Sequence, residues 1–390
     1  MQVEDLRIAL FSGNYNYVRD GANQALNRLV EYLLRNGARV RAYSPTVENP
    51  AFEATGDLVS VPSFAIPGRP EYRVPTRIPA AVLRDIQVFA PNIVHVASPE
   101  ILGHRAVSFA RKNDIAAVAS VHTRFETYLR YYNLGLFEPA VLAGLRRFYR
   151  RCDAIVAPSE SMAKLLREQG MNHDVGIWSR GVDKHIFNPE RRDMAWRRSI
   201  GIADDEPVIG FVGRLVMEKG LDVYEAVTAR LTAQRVPHRV IVVGDGPARD
   251  WFQKRLPEGV FVGYQTGENL GRAVASMDMF LNPSVTETFG NVTLEAMACR
   301  LPVVAATATG STSLVTDGVT GTLVQPGDIA AYADALSRYC RDEGARLAAG
   351  QAGEKVSENY SWDRVNHALV DVYLDHVHKS GKAAARKRNA

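Results

Sequence analysis

Short apolar runs alternate along this chain with longer segments whose apolar residues recur at helical spacing. The runs occupy residues 6–11, 93–97, 116–121, 154–157, 175–178, 208–212, 240–243, 260–262, 279–281 and 302–306. Short continuous apolar runs are typical of strands buried on both faces. The intervening spacing predicts helices, among them residues 22–35, 80–89, 328–347 and 362–378. Strands that alternate with helices predict parallel sheets and an α/β fold.

The order of these elements predicts two Rossmann-like domains. Strand, glycine-bearing loop and helix follow one another at residues 6–35, and a second such half opens at residues 208–212. A chain of 390 residues is long enough for two domains with separate cores. We place the first domain at 1–182 and the second at 183–361. Residues 379–390 form a basic tail that we expect to be disordered.

The composition is that of a soluble globular enzyme, with 46% hydrophobic and 23% charged residues. No apolar run approaches the roughly 18 residues that span a bilayer. Glu4 and Asp5 precede the first strand, so we expect no signal peptide. Cys152, Cys299 and Cys340 are far apart and odd in number, which predicts buried thiols in a reducing cytosol.

Charge is unevenly distributed along the chain. Residues 1–180 hold 22 Lys and Arg against 17 Asp and Glu, whereas residues 181–378 hold 20 against 26. The final twelve residues hold five basic residues and no acidic ones. A basic N-terminal half favours an anionic surface or substrate on that side, and no nucleic-acid-binding motif occurs.

Two basic segments lie in this half. Residues 62–79 contain five prolines, which predicts a rigid loop rather than a helix or a central strand. Residues 141–151 predict an amphipathic helix with one arginine-rich face. Such a face is usually only solvated, but beside an apolar face it suits an anionic membrane surface. The arginines of the two segments are Arg69, Arg73, Arg77, Arg146, Arg147, Arg150 and Arg151.

Residues 283–298 contain two glutamates with different predicted positions. Glu287 and Glu295 are eight positions apart, and on one helix they would lie roughly 80° and about 12 Å apart. If both contact one ligand, Glu287 lies in a loop and Glu295 on a helix that begins at Gly290-Asn291, where Asn is a good cap. The free N–H groups of that helix suit a phosphate. Glu295 can then hold a neutral diol such as a ribose.

Two further loops follow predicted strands. Arg214 and Lys219 are five positions apart and lie between glycines. The planar guanidinium of an arginine together with the ammonium group of a lysine suits a diphosphate. An ordinary surface loop is the alternative. His122 directly follows a strand, at the edge where open α/β sheets bind ligands, but a lone histidine is more often structural. Nearby, Arg124 and Arg130 are either clamps for an anionic sugar or acceptor, or solvated charges.

The pattern Pro-Ser…Glu-Thr-Phe-Gly…Glu-Ala-Met-Ala at 283–298, with Gly-Arg-Leu…Glu-Lys-Gly at 213–220, resembles the retaining glycosyltransferases of family four. The resemblance implies a GT-B fold, in which two Rossmann-like domains face a cleft and the last helix, 362–378, returns to the first domain. It implies that Glu287 and the amides behind it hold the donor sugar, that Glu295 holds the ribose, and that His122 lies against the sugar. The other donor-binding residues that it implies are Gly13, Gly21, Arg214, Lys219, Gly263, Tyr264, Thr288, Phe289, Gly290 and Asn291. Many members have paired glycines where this chain has Gly21-Ala22.

By this resemblance the protein is expected to transfer a hexosyl or hexuronosyl unit from a UDP- or GDP-sugar with retention of configuration. The segment Trp178-Ser179-Arg180-Gly181 is similar to the corresponding segment in the branch of the family that glycosylates membrane lipids. A diacylglycerol- or ceramide-type acceptor and peripheral attachment to the cytoplasmic face of a membrane are therefore expected. The alternatives are a polysaccharide or small soluble acceptor, a sugar-nucleotide epimerase, or a non-enzymatic membrane or RNA adaptor, against which residues 283–298 argue.

We expect no cofactor and no metal. The chain has no Asp-x-Asp triplet and no His, Cys and carboxylate cluster with ligand spacing. Arg214, Lys219 and the helix start would then neutralise the diphosphate. No nucleophile is paired with a base, so catalysis would rest on positioning and leaving-group stabilisation by His122, Glu287, Arg214 and Lys219.

Overall fold

The computed structural model describes residues 1–18, 20–66, 69–122 and 135–388, with the side chains of all of these except 69–71, 135 and 382–388. The chain divides into two compact units. The first unit is Met1–Gly181 with Trp362–Ala390, and the second unit is Val182–Ser361. The sequence-based boundaries fell after residues 182 and 361.

The first unit contains nine strands in the described chain: β1 (Arg7–Phe11), β2 (Arg39–Ser44), β3 (Asp57–Ser60), β4 (Ser63–Ile66), β5 (Arg69–Pro75), β6 (Ile93–Val96), β7 (Ala116–Ser120), β8 (Ala154–Ala157) and β9 (Val175–Ile177). Its described α-helices are Gly21–Arg35, Ala80–Phe89, Ile101–Lys112, Glu138–Tyr149, Glu160–Glu168 and Trp362–Arg388. Short 3-10 helices cover Val3–Asp5 and Gly135–Phe137.

The second unit contains β10 (Val208–Val212), β11 (Arg239–Val243), β12 (Val260–Gly263), β13 (Met279–Asn282), β14 (Val303–Ala306) and β15 (Gly321–Val324). Its α-helices are Met194–Ser199, Leu221–Ala233, Arg249–Arg255, Gly267–Ala275, Asn291–Ala298, Ser311–Leu314, Ile329–Arg341 and Glu343–Ser357. Short 3-10 helices cover Pro189–Arg191 and Met217–Lys219.

The large sheet of each unit is parallel, as the alternation of strands and helices predicted. In the first unit the described strands follow the order β3-β2-β1-β6-β7-β8-β9, and in the second β12-β11-β10-β13-β14-β15. Each sheet lies between two buried apolar clusters, one on each face. The strand order reverses at β1 and at β10, and open α/β sheets bind ligands at the carboxyl ends of the strands beside such a reversal.

The segment that we predicted as a rigid loop at 62–79 contains an antiparallel pair, β4 with β5. Proline removes a backbone donor, but an edge strand tolerates this loss because one side of it needs no ladder hydrogen bond. Both strands of a two-stranded sheet are edges, and for that reason the prolines do not prevent pairing. Strands β2 and β3 were also missed, because their polar residues interrupt the apolar pattern.

The last helix packs on the first unit. Leu369, Val370, Tyr373 and Val377 are buried where the helix packs on β7, β8, β9 and the helix Gly21–Arg35. The Trp178 indole donates to Asn366 Oδ1 at 3.1 Å. The helix continues to Arg388, so residues 379–388 are helical although we predicted 379–390 to be disordered. Ala, Lys and Arg have high helix propensity, which accounts for the extension.

Candidate active-site loops and cavity

In the second unit, the loop after β10 contacts the loop after β13. The hydroxyls of Ser284 and Thr286 donate to the carbonyl of Glu218 at 3.5 Å and 3.4 Å. These contacts bring the residues that follow the two adjacent strands to the same edge of the sheet. Lys219 Nζ forms an ion pair with Glu287 Oε1. The Lys219 and Glu287 side chains are 30% and 17% exposed, so this pair is only partly solvated.

The helix Asn291–Ala298 starts beside this ion pair. Glu287 lies in the loop and Glu295 on the helix, as their spacing predicted. We expected Asn291 to cap the helix, but the N-cap is Gly290, with φ 95° and ψ 60°. A left-handed N-cap conformation strains any residue with a Cβ, which accounts for glycine at this position. The first N–H groups of the helix lack intrahelical partners and are available to an anion.

Glu295 lies in the second turn of this helix and is partly buried. Burial raises the pKa of its carboxyl group to about 7. Within the described part of the chain, no hydrogen bond or ion pair reaches this carboxylate. A buried carboxylate without a donor is costly, and a ligand diol would supply the missing donors.

The remaining predicted donor residues lie along the same edge. Arg214 is exposed. Leu215 N donates to the Asp245 carbonyl at 2.9 Å, and Gly244 N donates to the Gly263 carbonyl at 2.9 Å, so the loops after β10, β11 and β12 form one surface. Tyr264 is 64% exposed, whereas Phe289 is buried against Tyr360. Phe289 therefore supports the loop through its ring and offers a ligand only its backbone.

The first unit has a cavity of about 520 Å³ at the carboxyl ends of β1, β6 and β7. It contains the predicted residues Gly13, Arg73 and His122, but Gly21 is not among its lining residues. Gly21 instead begins the helix that Asp20 caps, with Asp20 Oδ1 accepting from Asn23 N at 2.8 Å. The polar lining residues also include Tyr17, Asp20 and Glu100. The apolar lining includes Leu26, Ile66, Val74 and Leu145.

His122 is held by hydrogen bonds on both ring nitrogens. Its Nδ1 accepts from the Arg180 guanidinium at 2.7 Å, and its Nε2 lies 2.8 Å from Ser120 Oγ. Because a guanidinium only donates, Nδ1 carries no proton and the ring is neutral. Burial, followed by the charge of Arg180 and then His95, holds the pKa of His122 well below its usual range. A second histidine, His95, extends this series of hydrogen bonds. Its Nε2 contacts Ser120 Oγ, and its Nδ1 contacts the Tyr373 hydroxyl.

The arginine-rich helix is Glu138–Tyr149. Arg146 Nε and Arg150 Nε donate to the carbonyls of Gln169 and Gly170, each at 2.9 Å. Arg151 donates to Ser108 Oγ at 2.6 Å and contacts His104. A second cavity, of about 470 Å³, is lined by His104, Arg147 and Arg151 with Leu145 and Phe148 at its apolar wall. Three of the four arginines therefore also stabilise the fold.

Some predicted residues are not placed by the structure. Arg124 and Arg130 lie outside the described residues, and the side chain of Arg69 is not described. Arg77 is exposed beyond the end of β5. Arg73 Nε donates to Ser63 Oγ at 2.9 Å, within the strand pair and next to the cavity.

The sequence interpretation missed Asp20, Glu100 and Arg180 as site residues. Glu100 follows β6 by four positions, at the same sheet edge as His122, so the rule that found His122 also points to it. Asp20 directly precedes a predicted helix. Arg180 carries no such signal, because only the fold buries it against His122.

No group of three or more His, Cys, Asp or Glu side chains among the described residues is arranged to hold a metal ion. No helix in the described chain has the length and apolarity needed to cross a membrane.

Comparisons with known proteins agree with this architecture. Residues 19–185 match the family described as Glycosyltransferase Family 4, and residues 206–342 match Glycosyl transferases group 1. The chain is 28% identical over 379 residues to a GDP-mannose-dependent alpha-mannosyltransferase of Corynebacterium glutamicum, covering 96% of this chain and 90% of that protein. It is 30% identical over 366 residues to the sulfoquinovosyl transferase SQD2 of Arabidopsis thaliana, covering 91% and 71%.

Solved structures share the fold at lower identity. Sucrose-phosphate synthase from Thermosynechococcus elongatus aligns with a TM-score of 0.76 and 20% identity, covering 94% of this chain and 98% of that one. HepE of Anabaena, in complex with UDP, aligns with a TM-score of 0.72 and 19% identity, covering 94% and 99%. The chain therefore belongs to the family-four, group 1 glycosyltransferases, has the GT-B fold, and is a glycosyltransferase that uses nucleotide sugars.

Proposed function

We propose that this protein transfers a hexosyl or hexuronosyl unit from a UDP- or GDP-sugar to a hydroxyl group of a membrane lipid, with retention of configuration and without a metal ion. The acceptor is of diacylglycerol or ceramide type, and the enzyme works at the cytoplasmic face of a membrane. The observation that carries the donor assignment is the grouping of Lys219, Glu287 and the start of the helix Asn291–Ala298 at one sheet edge, with Glu295 behind it.

In this proposal the second unit binds the nucleotide sugar. The diphosphate lies against the free N–H groups of the helix, with Arg214 and Lys219 supplying positive charge. Lys219 then exchanges its ion pair with Glu287 for the phosphate, which releases Glu287 to accept hydrogen bonds from the sugar hydroxyls. Glu295 accepts from the ribose diol, whose hydroxyls satisfy a carboxylate that has no hydrogen-bond partner among the described residues.

The reaction breaks the bond between the anomeric carbon and the diphosphate oxygen and forms a bond from that carbon to the acceptor oxygen. The acceptor proton passes to the departing diphosphate, on the face from which that group leaves. No protein nucleophile is required, so the protein contributes positioning and stabilisation of the developing negative charge. His122, held neutral and fixed by Arg180 and Ser120, acts as an orienting group for the sugar.

Two features of the first unit support a lipid acceptor. Its 520 Å³ cavity combines polar groups with an apolar wall, which suits a head group with the start of an acyl chain. Next to it, Arg147 and Arg151 line a cavity with an apolar wall. A cationic surface with apolar side chains is suited to an anionic bilayer.

The test has two steps. Calorimetry against a panel of UDP- and GDP-sugars identifies the donor, and the bound donor is then incubated with diacylglycerol or ceramide in mixed micelles. Mass spectrometry should detect a lipid heavier by one hexosyl or hexuronosyl unit, and NMR should show the anomeric configuration of the donor retained. Isomerisation of the donor without acceptor would indicate an epimerase, and transfer only to soluble sugars would refute the lipid acceptor.

A further inference from the structure

The cavity of the first unit has an acidic lining group that the donor assignment does not use. Glu100 follows β6 and is the N-cap residue of the helix Ile101–Lys112, yet its side chain makes no capping hydrogen bond. Instead Glu100 Oε1 accepts from the Ser98 hydroxyl at 2.7 Å. No partner within the described residues reaches Oε2. The carboxylate therefore presents one satisfied oxygen and one oxygen that a ligand can use.

The backbone is shaped to admit this carboxylate. A Cβ atom added at Gly13 would lie 1.8 Å from Glu100 Oε1 and 2.4 Å from Oε2. Any side chain at residue 13 would therefore displace the carboxylate from its position. The glycine of the loop after β1 is explained by this close approach, at the point where the order of the sheet reverses.

The charge around the cavity disfavours an anion. Glu100 and Asp20 both line it. The Asp20 carboxylate is already hydrogen-bonded to Asn23, whose N and Nδ2 donate to its two oxygens at 2.8 Å and 2.9 Å. Two described cations oppose these carboxylates. Arg73 lines the cavity, and its Nε already donates to Ser63. Arg180 lies behind His122 and donates to its Nδ1 and to the carbonyls of Trp178 and Ser179. The Tyr17 hydroxyl donates to the Gly13 carbonyl at 2.6 Å and so is also engaged.

We infer that this cavity binds an uncharged, hydroxyl-bearing head group of the acylglycerol type, that a hydroxyl of this group donates to Glu100, and that Glu100 excludes a phosphorylated head group. The inference rests on the proposed function for the identity of the site as the acceptor site. Glu100 is thus a residue that determines specificity. A phosphate would lie close to a carboxylate in weakly screened surroundings, and such like-charge contacts are strongly unfavourable.

The experiment uses the full chain and two soluble probes with the same acyl chain, 1-hexanoylglycerol and 1-hexanoylglycerol 3-phosphate. Their dissociation constants are measured by ligand-observed NMR. The wild type should bind the neutral probe and reject the phosphate. Glu100→Gln should weaken the neutral probe about 10- to 100-fold, as expected for loss of a hydrogen bond to a charged group, and should admit the phosphate.

Two variants separate charge from fold. Ser98→Ala removes the hydroxyl that donates to Glu100 but keeps the carboxylate, so the phosphate should still be rejected. Gly13→Ala forces the carboxylate away and should resemble Glu100→Gln, which provides a second test if that variant does not fold. The exposed Glu48→Gln is the control for loss of one negative charge in the same unit, and it should leave both affinities unchanged.

Equal affinity of the wild type for the two probes would overturn the inference, as would an unchanged preference in Glu100→Gln and Gly13→Ala. Failure of the wild type to bind the neutral probe would overturn it too. Calorimetry of nucleotide binding on the same samples distinguishes a failure of this inference from a failure of the proposed function. A protein that selects the neutral probe but binds no nucleotide sugar refutes the proposed function alone.

Discussion

At the scale of single residues, the Glu295 carboxylate has a structural cost as well as the binding role that we propose for it. Burial raises the pKa of its carboxyl group to about 7, although a carboxyl group in the unfolded chain titrates near 4.5. Below the lower value both states hold the proton, and the residue costs nothing. As the pH rises through this interval the unfolded state ionises first, so the folded state loses stability. At pH 8 the full cost is present.

We predict that Glu295→Gln stabilises the ligand-free protein at pH 8 by about 1–3 kcal/mol, since each pKa unit corresponds to 1.36 kcal/mol. At pH 4 the two proteins should unfold at the same denaturant concentration. Urea titrations at both pH values measure the difference. The exposed Glu258→Gln is the control in the same unit. A destabilised Glu295→Gln at pH 8 would show that the carboxylate has a protein partner.

The same carboxylate predicts how nucleotide binding depends on pH. A ribose diol donates best to the ionised form, and with a pKa of about 7 the ionised fraction falls roughly tenfold from pH 8 to pH 6. The affinity for UDP or GDP should fall accordingly in the wild type. Glu295→Gln should bind more weakly at pH 8, and only titration of the nucleotide phosphate should remain in its pH profile. Identical calorimetric profiles for the two proteins would contradict the ribose assignment.

At the scale of elements, the loops after β10 and β13 hold opposite charges against each other. The ion pair of Lys219 with Glu287 offsets one of the two positive charges that Arg214 and Lys219 supply. The helix beginning at Asn291 adds roughly half a positive charge. In the proposed donor site, diphosphate binding would therefore require Lys219 to exchange its ion pair with Glu287 for one with a phosphate oxygen.

From this exchange we predict that Glu287→Gln keeps or increases the affinity for free UDP or GDP while turnover falls, since Lys219 is released but the sugar is held less well. Lys219→Ala should lose turnover by orders of magnitude, and added magnesium should not restore it. Wild-type transfer should persist in excess EDTA. Calorimetry and a transfer assay measure these effects. Activity that EDTA abolishes and magnesium restores would contradict the proposal that the leaving group is stabilised without metal.

The arginines of the helix Glu138–Tyr149 differ in how far they take part in the fold, which matters for testing the proposed membrane attachment. Arg146 and Arg150 donate to the carbonyls of Gln169 and Gly170 just after the helix Glu160–Glu168. Cations and donors at a helix C-terminus stabilise its unpaired carbonyls. Arg147 is exposed and lines the cavity of about 470 Å³. Arg147 is therefore the position at which charge and stability can be tested separately.

We predict that Arg147→Glu reduces sedimentation with anionic vesicles at low salt without changing the unfolding midpoint or the nucleotide affinity. Arg150→Glu, the matched variant on the same helix, should instead lower the unfolding midpoint, because it loses its hydrogen bond to Gly170. Sedimentation with neutral vesicles is the control for nonspecific attachment. If Arg147→Glu sediments like the wild type, the electrostatic basis of membrane attachment is refuted.

At the scale of the whole molecule, the last helix completes the first unit from the far end of the chain. Tyr373 and His95 are 278 positions apart, and their side chains hydrogen bond within the buried core. Through His95 and Ser120 this contact continues to His122 at the cavity. The stability of the N-terminal core and the orientation of a site residue therefore depend on residues beyond 362.

We predict that Tyr373→Phe destabilises the protein by about 1–3 kcal/mol, because it leaves a buried His95 nitrogen without a partner. Tyr332→Phe is the matched control, since the buried Tyr332 hydroxyl has no hydrogen-bond partner in the described chain, and its loss should be neutral or stabilising. Urea unfolding measures both variants. Equal effects would show that the Tyr373 hydroxyl contributes nothing through His95.

Local sequence patterns were sufficient to predict much of the secondary structure of this protein. The apolar runs predicted most strands of both sheets, because buried parallel strands are continuously apolar. The spacing of Glu287 and Glu295 placed one on a loop and one on a helix, because helical geometry allows no other shared site. The same patterns failed at β4 and β5, where prolines occupy edge strands. They also failed at Asp342, which caps the start of a second helix inside the segment 328–347 that we predicted as one helix.

Only the tertiary structure decided which charged groups lie together. The sequence shows Lys219 and Glu287 as separate motifs, and they form an ion pair because β10 and β13 are neighbours in the sheet. It shows Gly13 and Glu100 87 positions apart, and they touch because β1 pairs with β6. Secondary structure follows from local periodicity, whereas ion pairs, buried carboxylates and a neutral histidine depend on strand order, which brings distant residues into the same poorly solvated place.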